Sequence, residues 1–353
     1  MLDLFFCGDV LINNKTFLPN ELKTAISESE FAICNFEAPI RISKSKKTIK
    51  AGPNISQGEN SISELKGMGF NVLTLSNNHI FDYGLDSIKH TIDLIKKYNL
   101  ISTGFYLDSK KFTPIRLKSN GVSISLISCG ENTEGCLKYN HNKYGYLWTH
   151  SLELKELIIQ EKKKSDFVFV SVHAGLEKVN FPLDIWHKLY RDLIDYGADV
   201  IIGHHPHIAQ GIEKYKDALI FYSLGNFIFD YPKNSNESAP SLSVKFNLSK
   251  NKIDYQLYFH RKLGDKIILE KNSDSILKEL NIALNEVKKN TSNVEIQISK
   301  YMDSFNKYIR FYSTGLLDYS FRSILKWLYY KVLKRNEFEL KKEIINYFMC
   351  SLT

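Results

Sequence analysis

Arginine is scarce in this chain of 353 residues, supplying seven of its 47 basic side chains. Planar, bidentate reading of base edges depends on arginine, so the net charge of +8 is a weak argument for nucleic acid, and none is expected as a partner. No run of about 18 uninterrupted apolar residues occurs, which excludes a conventional membrane-spanning helix. The opening MLDLFFCGDV reaches Asp9 with neither a basic n-region nor an apolar stretch of signal length, so export by that route is not expected. Five cysteines (Cys7, Cys34, Cys129, Cys136 and Cys350) are odd in number and irregular in spacing, which argues against a disulfide framework and for a reducing compartment. A cytoplasmic location is the expectation. Phosphate-cradling glycine motifs of the P-loop type are also missing, so neither a nucleotide nor an organic cofactor is expected.

What is present is an ordinary globular composition, 43% hydrophobic and 24% charged, which excludes a disordered chain. Up to about residue 230, short apolar runs alternate with amphipathic stretches, the pattern of an α/β layered fold. The runs Leu2 to Phe6, Phe31 to Cys34, Asn71 to Leu75, Val122 to Ile127, Phe167 to Val172, Val200 to Ile202 and Leu219 to Tyr222 read as buried strands. Leu85, Ile88, Ile92 and Ile95 recur at helical spacing, as do Ile185, Leu189, Leu193 and Tyr196, with Gly197 placed as a stop. After the polar, proline-bearing segment 231–241, alternating strands are expected near 242–248 and 253–260, and a helical period begins near Ser273. Residues 251 to 353 carry six of the eight net positive charges. The expected division is a domain over 1–262 and a helical extension over 263–353.

Polar residues gather where the expected strands end, the usual place for function in an α/β sheet. The ends carry Asp9, Asn35 to Glu37, Asn77 to His79 with Asp82 beyond, His173, and the cluster His204-His205-Pro206-His207. An aspartate after one strand is ordinarily a turn or cap residue, and a single histidine is ordinarily a satisfied core group. Three histidines within four residues, directly after an apolar run, are costly to bury without a ligand. Carboxylates, amide oxygens and imidazoles together form a mixed N/O set suited to Zn, Mn, Fe or Ni, so one or two divalent transition metals are expected.

The ordered motifs GDVL (8–11), NFE (35–37), NNHIFDYG (77–84), HAGLE (173–177), GHHPHIAQG (203–211) and SLGNFIFD (223–230) resemble the CapA family of bacterial capsule-synthesis proteins, named for poly-γ-glutamate capsule formation. The family looks like a divergent branch of the calcineurin-like metallophosphoesterases, which implies a two-sheet sandwich flanked by helices over about residues 2 to 260. The resemblance implies that Asp9 and Glu37 supply carboxylates, Glu37 standing at the metal-bridging position. It implies Asn78, His173 and His205 on the second metal, His207 on the first, and His79 as a protonated, non-ligating acid facing the scissile group. Where the broader superfamily carries Asp-x-His, position 11 is leucine, so the first metal loses a ligand.

Asp82 either orients His79 or caps the following helix. Glu177, His204 and Asn226 are read as groups that fix ligands and loops rather than as ligands. Arg41 and Lys50 either meet an anionic substrate or belong to a solvated loop. The expected activity is hydrolysis or transfer at a phosphoester or amide bond in making a bacterial capsule or surface polymer, on an anionic polymer or a phosphorylated small molecule. The alternative is a non-catalytic, metal-stabilised factor in the capsule-synthesis machinery. In the C-terminal segment, Leu317, Phe321, Ile324, Leu328 and Val332 form an apolar stripe beside Trp327, Tyr329, Lys331, Lys334 and Arg335. That stripe suits packing on the core, a homodimer interface or peripheral contact with the inner face of the membrane.

Overall fold

The computed structural model describes residues 1–289 apart from 49, 51–52, 109–111, 138–142 and 232–237. The stripe at 317–332 therefore lies outside the described residues. Two mixed sheets face each other. The first runs in the order β15 (Lys266–Leu269), β14 (Lys252–Leu263), β13 (Ser241–Ser249), β1 (Leu2–Leu11), β2 (Phe31–Phe36), β3 (Val72–Thr74), β4 (Ile101–Thr103), with β12 (Asn226–Phe229) also paired to β1. The second runs β10 (Ile212–Tyr215), β11 (Ala218–Phe221), β9 (Val200–His204), β8 (Phe167–His173), β6 (Val122–Gly130), β5 (Ile115–Ser119), and β7 (Leu147–Trp148) pairs with β6.

The apolar runs are continuous because these strands are covered on both faces. Along β1, Phe5 and Cys7 join a core shared with α1 (Asn20–Ser27), α2 (Asn60–Met68) and α3 (Gly84–Lys97), while Leu4 and Phe6 face the other sheet. Phe6 stacks on Phe169 of β8 at 5.7 Å, and Phe246 meets Phe169 edge-on at 5.3 Å. Such aromatic pairs add about 0.5–1.5 kcal/mol each beyond the area they bury. On its outer side the second sheet is covered by α4 (Leu152–Lys162) and α5 (Asp184–Asp195). The result is the helix–sheet–sheet–helix sandwich expected from the motifs.

Strand β1 is longer than its apolar run and carries Asp9 inside the sheet. In α5 Leu189 and Leu193 of the expected stripe are buried, together with Trp186, His187, Tyr190 and Ile194, whereas Ile185 is 44% exposed. That helix ends at Asp195, and Gly197 follows at φ 120°. The first sheet continues past 262 through the β14–β15 hairpin. From Ser273 to Lys289 the chain forms α6, whose Leu280 and Leu284 are buried against the core and whose Asn281 Oδ1 accepts from Ile212 N at 2.9 Å.

Candidate metal centre

Parallel pairing of β1 with β2, of β2 with β3 and of β8 with β9 brings the C-terminal ends of these strands to one place. Glycine makes the first approach possible. A Cβ on Gly8 would lie 1.8 Å from Gly225 O, so glycine there lets the chain after β11 come close to β1, and Asp9 N donates to Gly225 O at 2.9 Å. The register of β1 on β2 shifts between Phe6 and Asp9, an irregularity of the kind that re-aims a side chain. Asp9 is consequently fully buried, with Asn35 Nδ2 donating to its Oδ1 at 2.9 Å and His205 N donating to its Oδ2 at 3.1 Å. His204 Nδ1 lies 3.1 Å from Oδ1 and His207 Nδ1 3.4 Å from Oδ2.

Glu37 stands one residue past β2 and is fully buried, yet among the described residues neither carboxylate oxygen has a hydrogen-bond partner. Three imidazoles surround its Oε1 instead, with Nε2 of His207 at 3.7 Å, His173 at 3.8 Å and His79 at 4.0 Å. These separations are too long for hydrogen bonds. Two donors on one cation, each about 2.1 Å from it, sit about 3–3.5 Å apart, so these nitrogens stand a few tenths of an ångström wider than a ligand set and a small inward shift would let them share an ion. Nε2 of His173 also lies 2.8 Å from Asn78 Oδ1 and 3.2 Å from His205 Nδ1. Asp9, Glu37 and His207 thus converge on one side, Asn78, His173 and His205 on the other, and Glu37 lies between them. The donor set fits one or two divalent cations. His207 Nδ1 donates to Asn226 Oδ1 at 2.8 Å, which leaves Nε2 its lone pair for a metal.

The backbone is contorted here. His205 and His207 have φ of 95° and 57°, and Ala38 beside Glu37 has 89°. Non-glycine residues at positive φ are uncommon and cluster at functional sites.

The electrostatics follow from burying charge. Burial alone would raise the Asp9 carboxyl, but hydrogen bonds from His204 and His207 outweigh it and hold Asp9 well below the ordinary carboxylate range. Glu37 lacks such donors, so burial first, then the neighbouring Asp9 charge, push it well above. Burial, with a contribution from His207, lowers His205 to about 3, and burial likewise depresses His173.

His79 Nδ1 lies 2.7 Å from Asp82 Oδ2, which also accepts from Ile55 N at 2.7 Å. Asp82 pairs with Lys50 through its other oxygen, and the Lys50 ammonium sits 3.1 Å from His79 Nδ1. Asp82 therefore does not cap α3; Tyr83 occupies the cap position without a side-chain bond. Burial, then Lys50, lower His79 to about 4. With Nδ1–H given to Asp82, the ring is neutral near pH 7 and presents a lone pair at Nε2, in contrast to the protonated donor expected. The Lys50 side chain is 2% exposed and engaged with Asp82, His79 and Asn78 O, behind the ligands rather than open to a substrate. Arg41 is exposed and lies over the Tyr83 ring at 4.9 Å.

Two further residues contribute, Gln57 outside every motif and Asn35 inside NFE but without an assigned role. Gln57, from the loop before α2, accepts from Ile12 N at 2.9 Å and donates to Val10 O and Glu37 O at 3.1 Å, clamping the ends of β1 and β2. Asn35 ties Asp9 to His173, its Nδ2 lying 3.1 Å from His173 Nδ1. A buried asparagine ahead of Glu37 was the available signal; nothing marked Gln57. Leu11 joins an apolar cluster with Ala38 and Ile55, against which Phe229 and Tyr231 pack.

Fold and site together define an α/β sandwich protein with a candidate metal centre at its strand ends. The family described as bacterial capsule synthesis protein PGA_cap matches residues 3–231, and the chain belongs to it. It is 33% identical over 263 residues to the PGA biosynthesis protein CapA of Bacillus subtilis (strain 168), covering 71% of this chain and 69% of that protein. It is 33% identical over 233 residues to the capsule biosynthesis protein CapA of Bacillus anthracis, covering 64% of this chain and 56% of that one. Among solved structures, a 5′-nucleotidase precursor from Thermus thermophilus aligns with a TM-score of 0.44 at 13% identity, covering 80% of this chain and 58% of that one.

Proposed function

We propose that the chain is a metal-dependent hydrolase or transferase acting at a phosphoester or amide bond of an anionic capsule or surface polymer, or of a phosphorylated precursor. One observation carries the reading: Glu37, a buried carboxylate without hydrogen bonds, faces three imidazole nitrogens at 3.7–4.0 Å. Such a group is costly unless a cation is shared among these atoms. The family supports the capsule setting.

A divalent cation bound there supplies Lewis acidity, polarising the attacked oxygen and lowering the pKa of water. Asp9, Glu37 and His207 would hold one cation, and Asn78, His173 and His205, with Glu37 beside them, would hold a second. His79, with Nδ1 fixed by Asp82, offers Nε2 to take a proton or a hydrogen bond at the reacting group. Lys50 holds Asp82 and so sets the His79 ring. A second reading, a non-catalytic metal-stabilised assembly factor, is favoured by Leu11, which offers an apolar side chain where a ligand would stand.

Among the described residues no helix is long and apolar enough to cross a membrane. A cytoplasmic location, with contact to the inner membrane face or a homodimer made through residues 317–348, is part of this proposal. Elemental analysis of the purified chain, with turnover of a generic phosphate ester and of a γ-glutamyl amide, tests it. One to two metal equivalents with turnover on either bond support an enzyme; metal with no turnover on both supports the assembly factor; no metal refutes both.

A further inference from the structure

The loop after β8 is drawn against the loop after β9. Ala174 N donates to His204 O at 3.2 Å, and Lys178 N donates to Pro206 O at 2.9 Å. Gly175 permits the approach: it stands at φ 137°, and a Cβ there would lie 2.9 Å from Pro206 Cγ. Two backbone bonds and one glycine therefore hold the loops together, and the Glu177 side chain is free of that task. Its carboxylate comes instead to His205 and His207, with one donor atom from each of the three residues lying within 4.8 Å of the others.

Glu177 is half-buried, whereas His205 and His207 are buried. The cluster therefore lies towards solvent from the Asp9–Glu37 side, where a substrate would arrive. Its chemistry suits a borderline divalent ion of the Zn, Mn or Fe class: one carboxylate and two imidazoles, with a side open to exchangeable ligands. His207 is common to this group and to the Asp9–Glu37 group. Leu11 gives the latter no donor, so the chain has a carboxylate in reserve on the opposite loop.

We propose that Glu177 is a direct metal ligand, forming with His205 and His207 a cation position on the solvent-facing side of the centre. The inference rests on the metal-dependent reading above and goes beyond it by moving Glu177 from a loop-fixing role into the ligand set.

Cobalt(II) titration of the chelator-stripped full chain tests this, using its visible absorption as the readout. Three variants accompany the wild type: Glu177→Gln, which keeps shape and removes charge, Glu177→Cys, and Glu37→Gln. Far-UV circular dichroism checks the fold of each. Glu177→Gln is expected to bind Co²⁺ more than 10-fold more weakly, and Glu177→Cys to gain a sulfur-to-cobalt charge-transfer band absent from the wild type. Wild-type affinity in Glu177→Gln, or no new band in Glu177→Cys, overturns the proposal. If only Glu37→Gln loses cobalt, the metal-dependent reading stands and the Glu177 assignment falls. No uptake by the wild type removes both.

Discussion

Replacing Glu37 by glutamine keeps the side-chain shape and removes a carboxylate that is fully buried and lacks hydrogen bonds. In metal-free protein above the unfolded pKa this should stabilise the fold, by up to about 1.4 kcal/mol for each pH unit until the folded-state pKa is reached. The gain depends on pH in a fixed sense. Glu37 is raised in the folded state, so folding takes up a proton once the unfolded side chain ionises above about pH 4.3. The wild type therefore loses stability as pH rises through that value, and the advantage of the glutamine vanishes below it. With metal the order reverses. A ligand at 100 times its Kd stabilises by about 2.7 kcal/mol, which for a chain of this size is a rise in Tm of about 4 °C. The wild type should show that rise with Mn²⁺ or Zn²⁺, and Glu37→Gln should not. Differential scanning fluorimetry at pH 5 and pH 8, with and without chelator, reads both effects. A full metal-dependent rise in Glu37→Gln would refute the reasoning, because it would remove Glu37 from the ligand set.

His79→Asn should retain metal by elemental analysis while losing at least about 10²-fold of turnover, the usual contribution of a positioned acid or base. His260 is fully buried beside Ser243 Oγ at 2.8 Å, and burial lowers it to about 3. The unfolded state then binds the extra proton between about pH 3 and pH 6.5, so stability falls as pH drops. The His260→Gln variant should lose about 2 kcal/mol less than the wild type between pH 7 and pH 5 in urea denaturation. Gly8→Ala, whose new methyl would meet Gly225 O at 1.8 Å, should cost at least about 3 kcal/mol; a normal urea midpoint would contradict the close approach to β1 described above.

The sandwich was legible because its central strands are apolar on both faces and end in polar clusters. Strands β4 and β5 were not, since Ile101–Thr103 is three residues long and Ile115–Ser119 carries Arg116 and Lys118 on an edge. Positions of the motif residues followed from parallel strand ends, but their surroundings did not. Lys50 reaches His79 across 29 residues, and Gln57 reaches β1 across 47, along loop paths that no local period encodes. Asp82 has the sequence signature of a cap, and only tertiary structure shows its carboxylate turned to Ile55, His79 and Lys50 instead. The depressed pKa of His79 has the same origin: neither its burial nor the ammonium beside it is written near position 79.

The left-handed backbone at His205 and His207 limits how this site can be interrogated and how it can drift. Alanine at either position removes a donor and also places an ill-suited residue in a conformation that histidine, asparagine and aspartate tolerate better. Part of any loss in an alanine variant would then report the turn rather than the chemistry, whereas asparagine separates the two. The same filter acts on descent. Substitutions that keep the turn pass through a narrow set of polar residues, so a lineage that abandons metal binding would be expected to show asparagine or glycine at 205 and 207 well before leucine or valine.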